Sequence, residues 1–188
     1  MRKSFIFYFV IIVLLLSCSP NQTPIVEDKE NYKIPELMKY YESLELEAQK
    51  WSSDAYLYEV DIPIGKKTTL LTASFNSPTR TKESIQVVLD LQSRLSVQKF
   101  RQDLEILQEE PITPSKFKID SQEALNILVE KNQNSIDTIK EMCGSLKLSR
   151  LSTLPDRPIT WVFLYRECGS VKSDHSYLDP ITGTIFEP

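Results

Sequence analysis

The sequence predicts an α+β fold of two helix-plus-antiparallel-sheet units, with the helices packed on one face of the sheet. Apolar residues recur at helical spacing in two separate segments, and each segment precedes runs in which apolar and polar residues alternate. The elements also appear twice in the same order. We therefore expect one unit over residues 34–98, a linker over 99–119 and a second unit over 120–188.

The first residues of the chain have the pattern of a bacterial lipobox. Arg2 and Lys3 precede an apolar run, residues 5–16, and Ser17 and Cys18 follow it. The run is too short to cross a bilayer as a helix, and a small residue stands before the cysteine. An ordinary secretory signal and an N-terminal membrane anchor are the alternative interpretations of the segment.

Cleavage before Cys18 defines the predicted organisation of the N-terminal part. Residues 1–17 are then a lipoprotein signal peptide, and Cys18 carries acyl chains that attach the protein to a membrane. Residues 18–33 are polar and without a hydrophobic period, so we expect a lipidated tether there. We expect a cell-envelope location, on the outer membrane facing the periplasm in a cell with two membranes or on the outer face of a single membrane.

The net charge argues against nucleic acid as a partner. It is −4 for the whole chain, and loss of Arg2 and Lys3 with the leader makes the remainder still more acidic. A nucleic-acid interface needs clustered basic residues on one face. The acyl chains, rather than a basic patch, are therefore expected to hold the protein at the membrane.

The first unit is predicted to contain one helix and three antiparallel strands. The strands cover residues 56–64 and 68–75, with a longer third strand from residue 85 that continues through Val97. The helix has one apolar stripe at spacings of three and four, formed by Ile34, Leu37, Tyr41, Leu44, Ala48 and Trp51.

The second unit begins with a predicted capping box. Asp120 would accept a hydrogen bond from the third helical amide, while the Glu123 side chain reaches back toward the start of the helix. An apolar stripe follows and extends to Met142. Strands are predicted over residues 146–151, 159–166, 176–178 and 184–186.

Cys143 and Cys168 are predicted to form a disulfide. With Cys18 lipidated they are the two remaining cysteines, and an even number in an oxidising compartment favours pairing. A symmetric four-residue hairpin loop over residues 154–157 would place Leu148 opposite Phe163 and Cys143 opposite Cys168. Opposed residues of antiparallel strands lie within disulfide range.

Asp179 and Gly183 predict a tight turn near the C-terminus. The Asp179 carboxylate can accept hydrogen bonds from turn amides, Pro180 restricts its own φ, and Gly183 can adopt the positive φ that ends the turn. Calcium binding through Asp179 would need more oxygen ligands than the segment provides. We therefore assign these residues to a hairpin.

The sequence predicts neither catalytic, metal-binding nor cofactor-binding residues. His175 is the only histidine, which excludes a site with two histidine ligands, and the four glycines are too scattered for a phosphate-binding loop. A general base formed by His175 with Asp174 is a minor alternative to a surface histidine.

Aromatic residues on the predicted strands are candidates for a binding surface. Tyr56 and Tyr58 lie on the first strand, and Trp161 and Tyr165 lie on the central strand of the second unit. Such residues either half-bury on a sheet or form an exposed contact surface.

The second unit resembles a PepSY-type domain. Three segments carry the likeness: IDSQEAL at residues 119–125, TWVFLY at 160–165 and LDPITGTI at 178–185. PepSY-type domains show a helix opening of the kind D-S-x-E-A-L and a closing D-x-x-T-G-x-I/L. The cysteine pair departs from that pattern. The resemblance implies a non-enzymatic module with an inhibitory or chaperone-like role toward proteases, and no catalytic residues are implied.

The sequence thus predicts a membrane-anchored envelope lipoprotein that binds or regulates a protein or peptide without enzymatic activity. The open face of the sheet would be the contact surface. Two alternatives remain: an assembly or scaffolding lipoprotein with constitutive contacts, and a hydrolase that uses His175.

Overall fold

The computed structural model describes residues 32–65, 70–90, 94–101, 109–131, 141–152 and 156–187, and it contains two α-helices and eight β-strands within them. A short 3-10 turn at Pro114–Lys116 precedes the second helix. The helices and strands, in chain order, are α1 Leu37–Gln49, β1 Tyr56–Ile64, β2 Leu70–Asn76, β3 Glu83–Asp90, β4 Leu95–Arg101, α2 Ser121–Lys131, β5 Met142–Arg150, β6 Ile159–Glu167, β7 Asp174–Leu178 and β8 Ile185–Phe186.

All eight strands belong to one antiparallel sheet, in the order β4-β3-β2-β1-β5-β6-β7-β8. The prediction of two helix-plus-sheet units is therefore wrong. Val60 of β1 pairs with Leu148 of β5, so the strands of the two halves are continuous across the centre of the sheet. Two separate small sheets would each leave an edge here, and pairing the edges satisfies their backbone groups and joins the two cores.

One face of this sheet carries the hydrophobic core, because side chains alternate between faces along each strand. A row of opposed residues crosses the sheet on that face, and each of them is buried. The row consists of Val87, Ala73, Val60, Leu148, Trp161 and Leu178.

Both helices contribute buried residues to the same core. Helix α1 buries Leu37, Leu44 and Ala48 of its predicted stripe and packs on β1, β2 and β3. Helix α2 contacts β6 and β7. Strand β4, at the edge of the sheet, lies beyond the strands on which α1 packs.

The predicted long third strand is in fact two strands. Strands β3 and β4 pair antiparallel, with Val87 opposite Val97, and residues 91–93 between them lie outside the described part. Residues of the two faces alternate in both strands in the same way, so the sequence pattern alone does not reveal that the chain reverses direction between them. Strand β4 also includes residues 99–101, which the sequence assigned to the linker.

The capping box at Asp120 is replaced by contacts between the two helix N-termini. Ser121 Oγ accepts a hydrogen bond from the Leu37 amide at 3.0 Å and donates one to the Pro35 carbonyl at 2.6 Å. Asp120 Oδ1 accepts from the Met38 amide at 3.2 Å. The side chains that start α2 thus satisfy the first amides of α1, which has no side-chain cap from its own N-cap residue.

The predicted signal peptide, the lipidation site Cys18 and nearly all of the tether lie outside the described residues. Tyr32–Pro188 forms one compact unit by its internal contacts. None of the helices in the described part is long and apolar enough to cross a membrane.

Candidate functional site

The four aromatic residues proposed as a binding surface do not form one. Trp161 is fully buried, and its indole Nε1 donates to the Ile119 carbonyl at 2.9 Å, so its assignment to an exposed surface is wrong. The strand alternation places Trp161 on the core face, which the sequence could not distinguish from the open face. Tyr56 is also buried, and its hydroxyl accepts from the Glu109 amide at 3.1 Å.

The other two tyrosines lie on opposite faces of the sheet. Tyr165 is half-buried and stacks on Phe163 of the core face, with ring centroids 4.8 Å apart. Tyr58 lies where the pairing of β1 with β2 shifts, and it is half-buried near Ser74. Burial raises the pKa of Tyr58. The aromatic residues therefore do not provide a common contact surface.

The structure contains the Cys143–Cys168 disulfide, although the predicted hairpin register is wrong by two residues. Leu148 faces Trp161, and Cys143 pairs with Arg166. The Leu151 amide donates to the Pro158 carbonyl at 2.9 Å, so the loop is longer than four residues. A register shift of two residues leaves every side chain on the same face of the sheet. The two cysteines therefore still lie on one face, with their α-carbons 5.0 Å apart.

The Asp179 turn has the geometry that the sequence predicts. Asp179 Oδ1 accepts from the Ile181 and Thr182 amides at 2.7 and 3.0 Å, and Gly183 has a φ of +72°. The Pro180 carbonyl accepts hydrogen bonds from the backbone amides of residues 118 and 119. The turn joins β7 to β8 and holds them against the start of α2.

His175, the candidate general base, lies on β7 next to Asp174. His175 is exposed and packs edge-on against Tyr177, with ring centroids 5.3 Å apart. It lines a cleft of about 550 Å³ with Asp174, Lys131 and others. Among the described residues, no three His, Cys, Asp or Glu side chains come together as a metal site would require.

The centre of the open face is polar and internally paired. Lys147 Nζ lies 3.2 Å from Asp61 Oδ2 and 3.9 Å from Glu59 Oε1. Burial raises the pKa of Glu59, Asp61 and Glu109 raise it further, and Lys147 opposes the shift. These contacts make the centre of the face a poor candidate for the predicted contact surface, because a partner would have to displace ion pairs that already exist there.

Strand β4 is the most accessible element of the sheet. All seven of its residues are exposed, and in the part of the chain that the structure describes it pairs only with β3. Leu95 and Val97 are each 38% exposed on the side of the helices, and Phe100 is 41% exposed on the other side. A long exposed edge with apolar side chains is unusual, because it can pair with another chain.

The hydrogen-bonding direction of β4 follows from one contact. The Asp90 amide donates to the Arg94 carbonyl at 3.1 Å, which makes these residues a hydrogen-bonded pair of the β3–β4 ladder. Bonded and non-bonded pairs alternate in antiparallel strands. The amides and carbonyls of Leu95, Val97 and Lys99 therefore point away from β3, toward the free edge.

A groove lies beside this edge, between α1 and β4. It has a volume of about 600 Å³ and is lined from α1 by Ser43, Leu46, Glu47, Gln49 and Lys50, and from β4 by Leu95. Leu46 is 55% exposed, which is high for a leucine on a docked helix. We call β4 and this groove the β4 edge site. Among the described residues, it combines exposed apolar side chains with backbone groups that pair with no further strand.

Sequence reasoning missed this site for a specific reason. Leu95 and Val97 were assigned to a continuation of β3, and Lys99 and Arg101 to a linker. A signal for the reversal was present: Asp90 stands at the start of the turn, and its Oδ1 accepts a hydrogen bond from the Arg94 amide at 3.0 Å. Aspartate at the start of a turn is a common hairpin feature.

Neither a family model nor a curated protein sequence matches the chain. A solved structure does: that of a "putative lipoprotein (CD1622)" from Clostridium difficile 630. The two share 13% sequence identity with a TM-score of 0.56, over 85% of this chain and 94% of the other. At this identity the likeness shows the fold.

Proposed function

We propose that the protein is a lipid-anchored lipoprotein of the cell envelope whose folded part binds an extended segment of a protein partner without catalysing a reaction. The observation that carries the proposal is the β4 edge site, where a seven-residue exposed strand adjoins a groove. The addition of a strand to an exposed sheet edge is a recurring mode of peptide recognition, with backbone hydrogen bonds and alternate side-chain pockets.

The lipid anchor in this proposal rests on the leader and on Cys18. The likeness to a protein described as a lipoprotein supports it, and so does the disulfide, because disulfides persist in oxidising compartments. The PepSY-type resemblance of the second half remains part of the proposal, as support for a non-enzymatic role.

Site-specific photocrosslinking in intact cells tests the binding role. A photoreactive amino acid at Val97 should give an adduct with a partner protein, because the edge of β4 would lie against it. The matched control is Glu130, which is exposed on α2 on the other half of the chain. Adducts of equal yield at both positions, or none at Val97, would contradict binding at β4.

The lipid anchor has its own test. Labelling with radioactive palmitate should mark the mature protein, and Cys18→Ala should abolish the label and leave the leader attached. An unlabelled mature protein would contradict the lipoprotein assignment while leaving the binding role to the crosslinking result. A stoichiometric adduct under all growth conditions would favour the scaffolding alternative over regulation.

A further inference from the structure

We infer that the β4 edge site binds an acidic, extended polypeptide segment as an additional strand of the sheet. This inference rests on the proposed function and adds the chemistry of the partner. It follows from the direction of the outward backbone groups of β4, the apolar side chains beside them and the charge of the strand.

The backbone of β4 offers a ladder on its free side. The outward amides and carbonyls of Leu95, Val97 and Lys99 are spaced two residues apart, as the pairing of one more antiparallel or parallel strand requires. At about 3.3 Å per residue the seven residues of β4 extend over roughly 23 Å. An added segment of six to eight residues would therefore use the whole edge.

The side chains beside this ladder favour apolar residues at alternate positions of the segment. Leu95 and Val97 point toward the helix side of the sheet, and Leu46 lies across the groove from Leu95. Side chains of an added strand would alternate between the groove and the opposite face. Those that enter the groove would cover apolar surface of Leu46 and Leu95 that is now exposed to water.

The charges at the edge favour acidic residues at one end of this same face, because Lys99 and Arg101 alternate in step with Leu95 and Val97 and lie on the helix side of the sheet. Both charged residues of β4, Lys99 and Arg101, are basic, and Arg94 precedes the strand. Two carboxylates near the edge already have cationic partners: Glu47 forms an ion pair with Lys50, and Glu83, opposite Arg101 in the ladder, forms one with Arg80. An acidic segment would thus meet at least one cation, Lys99, that has no acidic residue opposite it in β3.

The same charges disfavour a second copy of the chain as the occupant. An antiparallel pair of β4 strands related by a two-fold axis at Gln98 would bring Lys99 and Arg101 of both copies onto one ribbon. Each Lys99 would lie opposite Val97 and diagonal to the other Lys99, within reach of long side chains, and with no carboxylate in either strand these like charges repel one another. We therefore assign the site to a segment of opposite charge.

A peptide-binding measurement on the detergent-solubilised mature protein tests the inference. The probe is a fluorescent nine-residue peptide with serine at every second position; the positions between carry valine in one half and glutamate in the other, and both sequence orders are tested. The first control replaces each glutamate with lysine. The second keeps the sequence but carries N-methyl groups on four consecutive central amides, so that neither edge of the peptide can donate hydrogen bonds to a neighbouring strand. We expect the acidic peptide to bind at least tenfold more tightly than either control. Its affinity should fall as the salt concentration increases.

Variants of β4 locate the binding. Val97→Pro removes an outward amide and leaves the ladder to β3 intact, since proline is tolerated on edge strands in this orientation. We expect at least a tenfold loss of affinity, whereas Val97→Thr, which keeps the amide, should change it less than threefold. Lys99→Glu should reverse the preference between the acidic and the lysine peptide. Thermal unfolding of each variant checks that it remains folded.

Several outcomes would overturn the inference, and the peptide controls do so even if Val97→Pro fails to fold. Equal binding of the acidic and lysine peptides would reject the charge argument, and full binding of the N-methylated peptide would reject strand addition. Concentration-dependent dimers that Val97→Pro dissociates would show a second copy at the edge instead. Failure of all peptides with crosslinking at Val97 intact would reject the acidic segment while the proposed function stands.

Discussion

The two halves of the molecule have the same order of elements, a helix followed by four strands, but their outer edges differ. The first half ends in β4, with seven exposed residues. The second half ends in β8, with two half-buried residues, and the Asp179 turn fastens it to the start of α2. One edge of the sheet is thus short and tied down, while the other is long and accessible.

This difference shows which end of the sheet is available for contacts. Proteins usually protect edge strands by shortening them, covering them or placing charges on them, since exposed backbone groups can pair with other chains. Strand β8 is protected by its length. Strand β4 has only the charges of Lys99 and Arg101 to protect it. These two cations disfavour pairing with a second β4 strand, and they favour an acidic partner.

The halves also differ in what stabilises them locally. The second half has the Cys143–Cys168 disulfide across β5 and β6. The first half relies on a cluster around Asp54, whose Oδ1 accepts from the hydroxyls of Ser52 and Ser77, both at 2.6 Å. Hydrogen bonds between Ser121 and the start of α1 join the halves. Each of these three features can be removed separately.

Removal of the disulfide should have the largest effect. The cysteines are 25 residues apart in sequence, and the chain-entropy model assigns a loop of this length about 3–4 kcal/mol of stability. We expect the Cys143→Ala/Cys168→Ala variant to lose that amount in denaturant unfolding. Amide exchange should accelerate more in β5 and β6 than in β2 and β3. Reduction of the unaltered protein is the control and should reproduce the loss, whereas a loss below about 1 kcal/mol would contradict a stabilising disulfide.

Ser121→Ala tests the junction between the halves and should have an intermediate effect. Ser121 is fully buried, so the variant leaves the Leu37 amide and the Pro35 carbonyl without this partner. We expect a loss of about 1–3 kcal/mol in the free energy of unfolding. Ser115→Ala, at an exposed position, should change it by less than about 0.5 kcal/mol. Equal effects of the two substitutions would show that the helix N-termini do not depend on this contact.

Asp54→Asn tests the cluster of the first half and should have the smallest effect. The hydrogen bond from Ser52, followed by that from Ser77, holds the pKa of Asp54 well below its usual range. A lowered pKa in the folded state stabilises the protein above the unfolded value of about 4, and this contribution is lost as the pH falls below it. The variant should therefore melt at a lower temperature than the unaltered protein at pH 7, by a margin that narrows toward pH 3.

Asp156→Asn, at an exposed position, is the matched control for this substitution. The melting temperatures of both variants and of the unaltered protein are compared from pH 7 to pH 3. A margin for Asp54→Asn that stays constant across this range would contradict stabilisation by the ionised carboxylate.

Local patterns predicted the secondary structure well and its pairing poorly. The helical stripes located Leu37, Leu44 and Ala48 in the core, and the alternation of β1 and β6 matched their strands. The Asp179 turn was predicted because it depends on a few neighbouring residues, and the disulfide because only two cysteines remain to pair once Cys18 is set aside. The β3–β4 reversal was missed because alternation continues through it, and the position of the Trp161 side chain was missed because alternation does not say which face is buried.

The sequence alone determined where helices and strands form, where the last hairpin turns and which cysteines pair. The elements and the turn depend on residues close together in the chain, and the cysteine pair follows because only two cysteines remain. The tertiary structure decided that Val60 pairs with Leu148, that Ser121 caps α1 and that β4 is left at the free edge. These features depend on how distant segments of the chain pack against one another. The alternating pattern of a single strand is compatible with many pairing partners, so it does not specify which one the strand takes.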